Sequence, residues 1–156
     1  QKKAIFSSIN AQINSSNISN NNIEKYKMSD CVIINETELR HEYRDRESAV
    51  EGLMKKLQKD ISPETLVVTQ GRGGAKALIN GSKSIITCPA FASKVVDKVG
   101  SGDAMLSLLS ICLSAKLPIH FSLLISSLAA AHSVETVGNK DPFSRKSLMK
   151  ILQHSL

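Results

Sequence analysis

The chain has 156 residues, 42% of them hydrophobic and 22% charged, an ordinary composition for one soluble globular domain. Aromatic residues make up only 4% and tryptophan is absent, which argues against a stacking surface for single-stranded nucleic acid. The formal charge of +6 suits an anionic ligand, but it is spread over several segments and forms no dense basic block of the nucleic-acid type.

Cys31, Cys88 and Cys112 are odd in number and far apart, which argues for a reducing, cytoplasmic compartment and against a disulfide framework. The four histidines, His41, His120, His132 and His154, show no zinc-ligand spacing. No secretory signal is visible after Gln1-Lys2-Lys3, and the apolar span 104–134 is divided by Lys116, Pro118 and His120. Each half falls short of the ~20 residues a bilayer demands, so two buried helices are expected rather than a membrane span.

In chain order, residues 4–9 read as a strand. It opens so close to the first residue that the chain is expected to continue upstream in a parent protein. The polar loop Asn10-Ala11-Gln12-Ile13-Asn14-Ser15-Ser16-Asn17 follows at the carboxyl end of that strand, the edge where open α/β sheets bind ligands. Its amides either read substrate hydroxyls or are simply solvated. A short helix over 20–27 precedes the apolar strand Cys31-Val32-Ile33-Ile34, which empties into Asn35-Glu36-Thr37-Glu38. Asn35 and Glu38 admit two readings: hard oxygen ligands that orient water around magnesium, or an N-cap and its capping-box partner.

Residues 46–59 carry apolar side chains at Ala49, Val50, Leu53, Met54 and Leu57, a helical period. The strand Thr65-Leu66-Val67-Val68-Thr69 then runs into a glycine turn, Gln70-Gly71-Arg72-Gly73-Gly74. That turn begins like a dinucleotide fingerprint, but Lys76 stands where the third glycine belongs. Asn80-Gly81, between the apolar runs 75–79 and 84–87, signals a hairpin and not a helix. No P-loop occurs.

A strand over 94–96 is expected to deliver Asp97-Lys98-Val99-Gly100-Ser101-Gly102-Asp103-Ala104-Met105, where a polar turn opens into a long apolar helix. Gly100 and Gly102 let backbone N–H groups approach a ligand, and the first helical turn offers unpaired N–H groups at the positive end of the helix dipole. A phosphate fits there. Asp103 could take a proton from an attacking hydroxyl while the amides stabilise the transferring phosphoryl group. The plainer reading is a tight connection with Asp103 as a cap. The segment 104–115 is apolar nearly all round and expected to be buried. A second helix from Pro118 to about Val134 carries Ala129, Ala130 and Ala131, small enough for close approach by a helix or a flat ligand. A closing helix covers 144–152. Strands alternating with helices, interrupted by one hairpin, predict an α/β layered domain with a mainly parallel sheet.

Three turns in this order resemble the carboxyl-terminal half of the ribokinase-like sugar kinases, the PfkB family. Asp97-Lys98-Val99-Gly100-Ser101-Gly102-Asp103 is similar to the family's Asp-Thr-Thr-Gly-Ala-Gly-Asp, Asn35-Glu36-Thr37-Glu38 to its Asn-x-x-Glu, and Thr69-Gln70-Gly71-Arg72-Gly73-Gly74 to its Thr-x-Gly-x-x-Gly. The resemblance spans essentially all of residues 1–156 and implies a ribokinase-like layered fold, incomplete because the sugar-binding amino-terminal half is missing. It implies ATP-dependent phosphoryl transfer to a hydroxyl of a sugar or sugar phosphate, with Asp103 as base and Gly100, Ser101 and Gly102 as anion hole. Asn35 and Glu38 would act on Mg2+ through water, and Thr69, Gly71, Gly74 and Asp97 would serve ATP. Ala130, Val134 and Gly138 would border the adenine. A monovalent cation is a further implied cofactor, although Lys98 and Val99 replace the two threonines of the common motif. The implied partners are the missing half or a parent chain, with a homodimer also compatible. The polar loop from Asn10 is most reminiscent of the heptose-phosphate kinase branch, whose members are often fused to a nucleotidyltransferase. The alternative is a non-catalytic nucleotide-binding or interaction module derived from the same fold.

Overall fold

A computed structural model describes residues 5–10, 23, 27–97, 99–136 and 144–155. They divide into two compact units, Gln1–Thr87 and Cys88–Leu156. In the first, strands β1 (Ser8–Asn10), β2 (Cys31–Asn35), β3 (Thr65–Thr69), β4 (Ala75–Ile79) and β5 (Ile85–Cys88, its last residue past the boundary) form one sheet in sequence order. β1 pairs parallel with β2 and β2 with β3, whereas β4 runs antiparallel to β3. Only residues 80–84 separate β4 from β5, too few for a parallel crossover, so the two form the expected hairpin. Four of the five strands therefore share one direction. At the hairpin Gly81 has φ +76, which any side chain would strain, and Ser82 N donates to Ile79 O at 3.0 Å.

Helices α1 (Glu36–Tyr43) and α2 (Val50–Ile61) supply the core of this unit. Alternate strand residues Val32, Ile34, Leu66, Val68 and Leu78 share one cluster with Leu39, Leu53, Met54, Leu57 and Ile61. The residues between them, Cys31, Ile33, Val67 and Ala77, are buried as well. That double burial explains why β2 and β3 read as unbroken apolar runs. It also pushes the Cys31 thiol up to about 12. Helix α2 begins at Val50 and not at 46, because Asp45 Oδ1 accepts from Glu47 N at 3.1 Å and Ser48 N at 2.9 Å. A short polar side chain has captured the backbone ahead of the helix.

The second unit contains α3 (Ser101–Ser114), α4 (Ile119–Glu135) and α5 (Arg145–Ser155). α3 and α4 form an antiparallel pair turned at Lys116, whose φ is +58. α4 is buried through its middle, where Ser122 Oγ donates to Pro118 O at 3.0 Å and Ser126 Oγ to Leu123 O at 3.1 Å, while the buried Ser127 Oγ has no hydrogen-bond partner among the described residues. Two expectations fail in this unit. α3 is not buried all round: Met105, Leu109 and Cys112 are, but Ile111 is 62% exposed. Residues 94–96 form no strand; Val96 N and Asp97 N both donate to Val134 O, at 2.8 and 3.1 Å. Among the described residues, no helix is long and apolar enough to cross a membrane.

Candidate functional site

In the sheet unit the two candidate turns are brought side by side by register. Asn35 ends β2 and Thr69 ends β3, and they are direct partners across the parallel pair. Immediately beyond, Asn35 caps α1: its Oδ1 accepts from Glu38 N at 2.8 Å, and Glu38 Oε2 accepts from Asn35 N at 3.0 Å. The cap reading of these residues is thus realised, as a complete capping box. Glu38 is only 8% exposed. The Asn35 and Glu38 oxygens are hard donors of the kind magnesium takes, and among the described residues no three His, Cys, Asp or Glu side chains gather into a cage.

Beyond Thr69 the chain makes a 3-10 turn at Gly71–Gly73. Gly73 N donates to Gln70 O and Gly74 N to Gly71 O, each at 3.0 Å, while Gln70 N donates to Gly74 O at 2.8 Å. The turn is closed on itself. Gly71 and Gly74 have φ of +56 and +82, and nothing lies within 4 Å of where a Cβ at Gly71 would stand. Space and backbone both suit close approach by a ligand at Gly71.

Sequence reasoning overlooked the residues that tie these turns together. Gln70 Nε2 donates to Glu36 Oε2 at 2.7 Å, and Arg40 engages Glu36 Oε1 through Nε at 2.9 Å and Nη2 at 2.7 Å. The Gln70 amide first and the Arg40 guanidinium second hold the Glu36 carboxyl below its usual range. The available signal was positional: Glu36 and Gln70 each follow a strand end, and equal parallel strands set those ends level. On β4, Lys76 pairs with Glu51 of α2.

In the helical unit, Gly100 is the N-cap of α3 in the left-handed region, with φ 83. The first intrahelical donor is Ala104 N, bonded to Gly100 O at 2.9 Å, so the N–H groups of Ser101, Gly102 and Asp103 occupy the first turn ahead of it. The Asp103 side chain is exposed there. Asp97 Oδ1 accepts from Val99 N at 2.9 Å and shapes the approach to the turn. Asp97 N also ties that approach to Val134 O, and Ala130 lies one turn earlier on α4; both Ala130 and Val134 are half-buried. Burial opposes charge on Glu135, but Ser93 outweighs it, donating from N at 2.6 Å and Oγ at 2.8 Å, and the carboxyl is held low. Gly138, Lys98 and the loop 11–17 lie outside the described residues.

The profile of the pfkB family carbohydrate kinases matches residues 9–146. The chain belongs to this family. The likeness to solved structures covers most of this chain and less than half of each of those chains. Ribokinase from Thermotoga maritima superposes with a TM-score of 0.77 at 19% identity, over 94% of this chain and 48% of its own. Phosphofructokinase-2 from Escherichia coli, solved with potassium, gives 0.72 at 18% identity over 84% and 42%. Arabidopsis thaliana ribokinase, solved with ribose and ATP, gives 0.69 at 25% identity over 80% and 41%. A stretch of 53 residues is 43% identical to the bifunctional protein HldE of Campylobacter fetus, covering 34% of this chain and 12% of that one. The chain thus spans about half the length of the ribokinase it matches.

Proposed function

We propose that this chain carries the nucleotide-handling part of a kinase that phosphorylates a hydroxyl of a sugar or sugar phosphate. The observation that supports this most is the pair of glycine turns with positive φ, at Gly71 and Gly100, each lying within one of the motifs that resemble those of the pfkB family. In the sheet unit, Thr69, Gly71 and Gly74 would serve ATP, and Asn35 and Glu38 would orient waters of magnesium. Bound Mg-ATP supplies the phosphoryl group with part of its charge neutralised. In the helical unit, Asp103 would accept the proton of the attacking hydroxyl. The amides of Gly100, Ser101 and Gly102 would stabilise charge on the transferring group. Asp97 would hold that turn open toward the nucleotide, and Ala130, Val134 and Gly138 would border the adenine.

Calorimetry with Mg-ATP, beside a coupled ADP assay over a panel of sugars and sugar phosphates, tests the proposal. Nucleotide binding together with sugar-dependent ADP release is expected. The alternative reading is a nucleotide-binding or interaction module of the same fold without transfer. Binding with no release over the whole panel would select that module, and absence of both would refute the nucleotide reading. A monovalent cation, present with the E. coli phosphofructokinase-2, is a further ligand to test by exchanging potassium for choline. The missing half would be supplied by the parent chain, and a homodimer is tested by light scattering.

A further inference from the structure

The register of β2 and β3 sets Asn35 and Thr69 level, so the residues that follow them emerge side by side at the sheet edge. Glu36 opens α1, Gln70 opens the glycine turn, and their side chains join at 2.7 Å. We propose that Glu36 is a positioning residue that acts through Gln70, clamping the 70–74 turn to the Asn35–Glu38 capping box so that the two nucleotide-facing turns move as one body. The inference rests on the nucleotide reading above and goes beyond the three motifs, because Glu36 and Gln70 occupy their unspecified positions.

Three observations bear on the clamp. Both Glu36 oxygens are committed, Oε2 to Gln70 and Oε1 to Arg40, so the carboxylate has one orientation. Arg40 is itself anchored, with Nη1 donating to Ser48 O at 3.0 Å. On the turn side, a Cβ at Gly73 would stand 3.1 Å from Gln70 Cβ, so the absence of a side chain at Gly73 lets Gln70 lie across its own turn toward Glu36. The turn is also held by β3 and β4 and by its own short-range bonds, and the Gln70 link adds a side-chain tie to α1.

A charge-swap series tests this on the full 156-residue chain. Glu36→Gln removes the charge and leaves a single amide oxygen where Gln70 and Arg40 each had a carboxylate oxygen, Gln70→Glu sets two carboxylates against each other, and the double exchange restores one hydrogen bond with its direction reversed. Each single variant should weaken Mg-ATP binding by ~5–10-fold and speed amide exchange at Gly73 and Gly74 by a similar factor, as expected for loss of one hydrogen bond to a charged group. The double exchange should return both to within ~2-fold of wild type. A merely structural contribution would lower the melting temperature of the variants without that paired recovery of affinity. Wild-type binding with both single variants unaltered, or a double exchange that fails to recover, overturns the clamp alone. A wild-type chain that binds no Mg-ATP overturns the nucleotide reading and the positioning role with it, even where turn exchange responds as stated.

Discussion

Glu38 offers a separation of cap from charge. In the wild type its Oε2 accepts from Asn35 N at 3.0 Å, and the residue is 8% exposed. Glu38→Ala leaves that N–H without its acceptor while the reciprocal bond from residue 38 N to Asn35 Oδ1 survives. The loss of one such bond near the interior costs about 1–2 kcal/mol, which for a chain of this size lowers Tm by about 3–6 °C. Glu38→Gln is different in kind, because a glutamine oxygen serves the capping box as a glutamate does, and its Tm should stay within about 2 °C of wild type. The proposed role toward magnesium needs the negative charge, so Glu38→Gln should nonetheless lose about tenfold in Mg-ATP affinity, approaching the wild-type value in excess EDTA. Scanning calorimetry and isothermal titration on the three proteins decide it. A Glu38→Gln variant that is stable and binds Mg-ATP as tightly as wild type refutes the magnesium role and leaves the cap as the residue's whole function.

Further expectations follow from packing and charge. Leu57→Ala, at a fully buried position where α2 meets the sheet, should cost about 2–5 kcal/mol in denaturant unfolding, and a loss under 1 kcal/mol would contradict that placement. Glu135 has a lowered carboxyl, so its contribution is complete above the usual 4.5 and disappears as pH falls through the lowered value; Glu135→Gln should flatten the acid limb of the stability curve. An acid limb unaltered in that variant would remove the Ser93 contact from the account. Cys31 titrates in the opposite sense: stability is undiminished below 9.0 and falls as pH rises toward about 12. Its alkylation by iodoacetamide at neutral pH should wait on unfolding, and native-state labelling as fast as in denaturant would contradict its burial.

Much of the sheet was legible because its signals are local. β2 and β3 announced themselves as apolar runs ending in polar turns, and Asn80-Gly81 marked the β4–β5 hairpin. The two glycine turns and the capping box were legible for the same reason: each is defined within a few residues. What escaped the sequence depends on partners distant along the chain. Val95 and Val96 have strand-like side chains, yet the Val96 and Asp97 N–H groups are taken by Val134 O, thirty-seven or more residues away. Ile111 belongs to an apolar helix but falls on its exposed side, which composition cannot reveal when nearly every position is apolar. Glu36 and Gln70 looked like filler between motif residues, and only the register of β2 against β3 makes them neighbours. The same limit applies to the candidate site: the turns at Gly71 and Gly100 were readable, whereas the ties that hold them were not.

Asp103 is the proposed base of phosphoryl transfer. Its most direct test compares wild type with Asp103→Asn, in the chain and in the longest reading frame that contains it, by Mg-ATP titration and by sugar-dependent ADP release. Asp103→Asn should keep nucleotide affinity within about twofold while turnover falls by at least about a hundredfold, the usual contribution of a general base. Sugar-dependent turnover that survives the substitution near the wild-type rate would contradict that role.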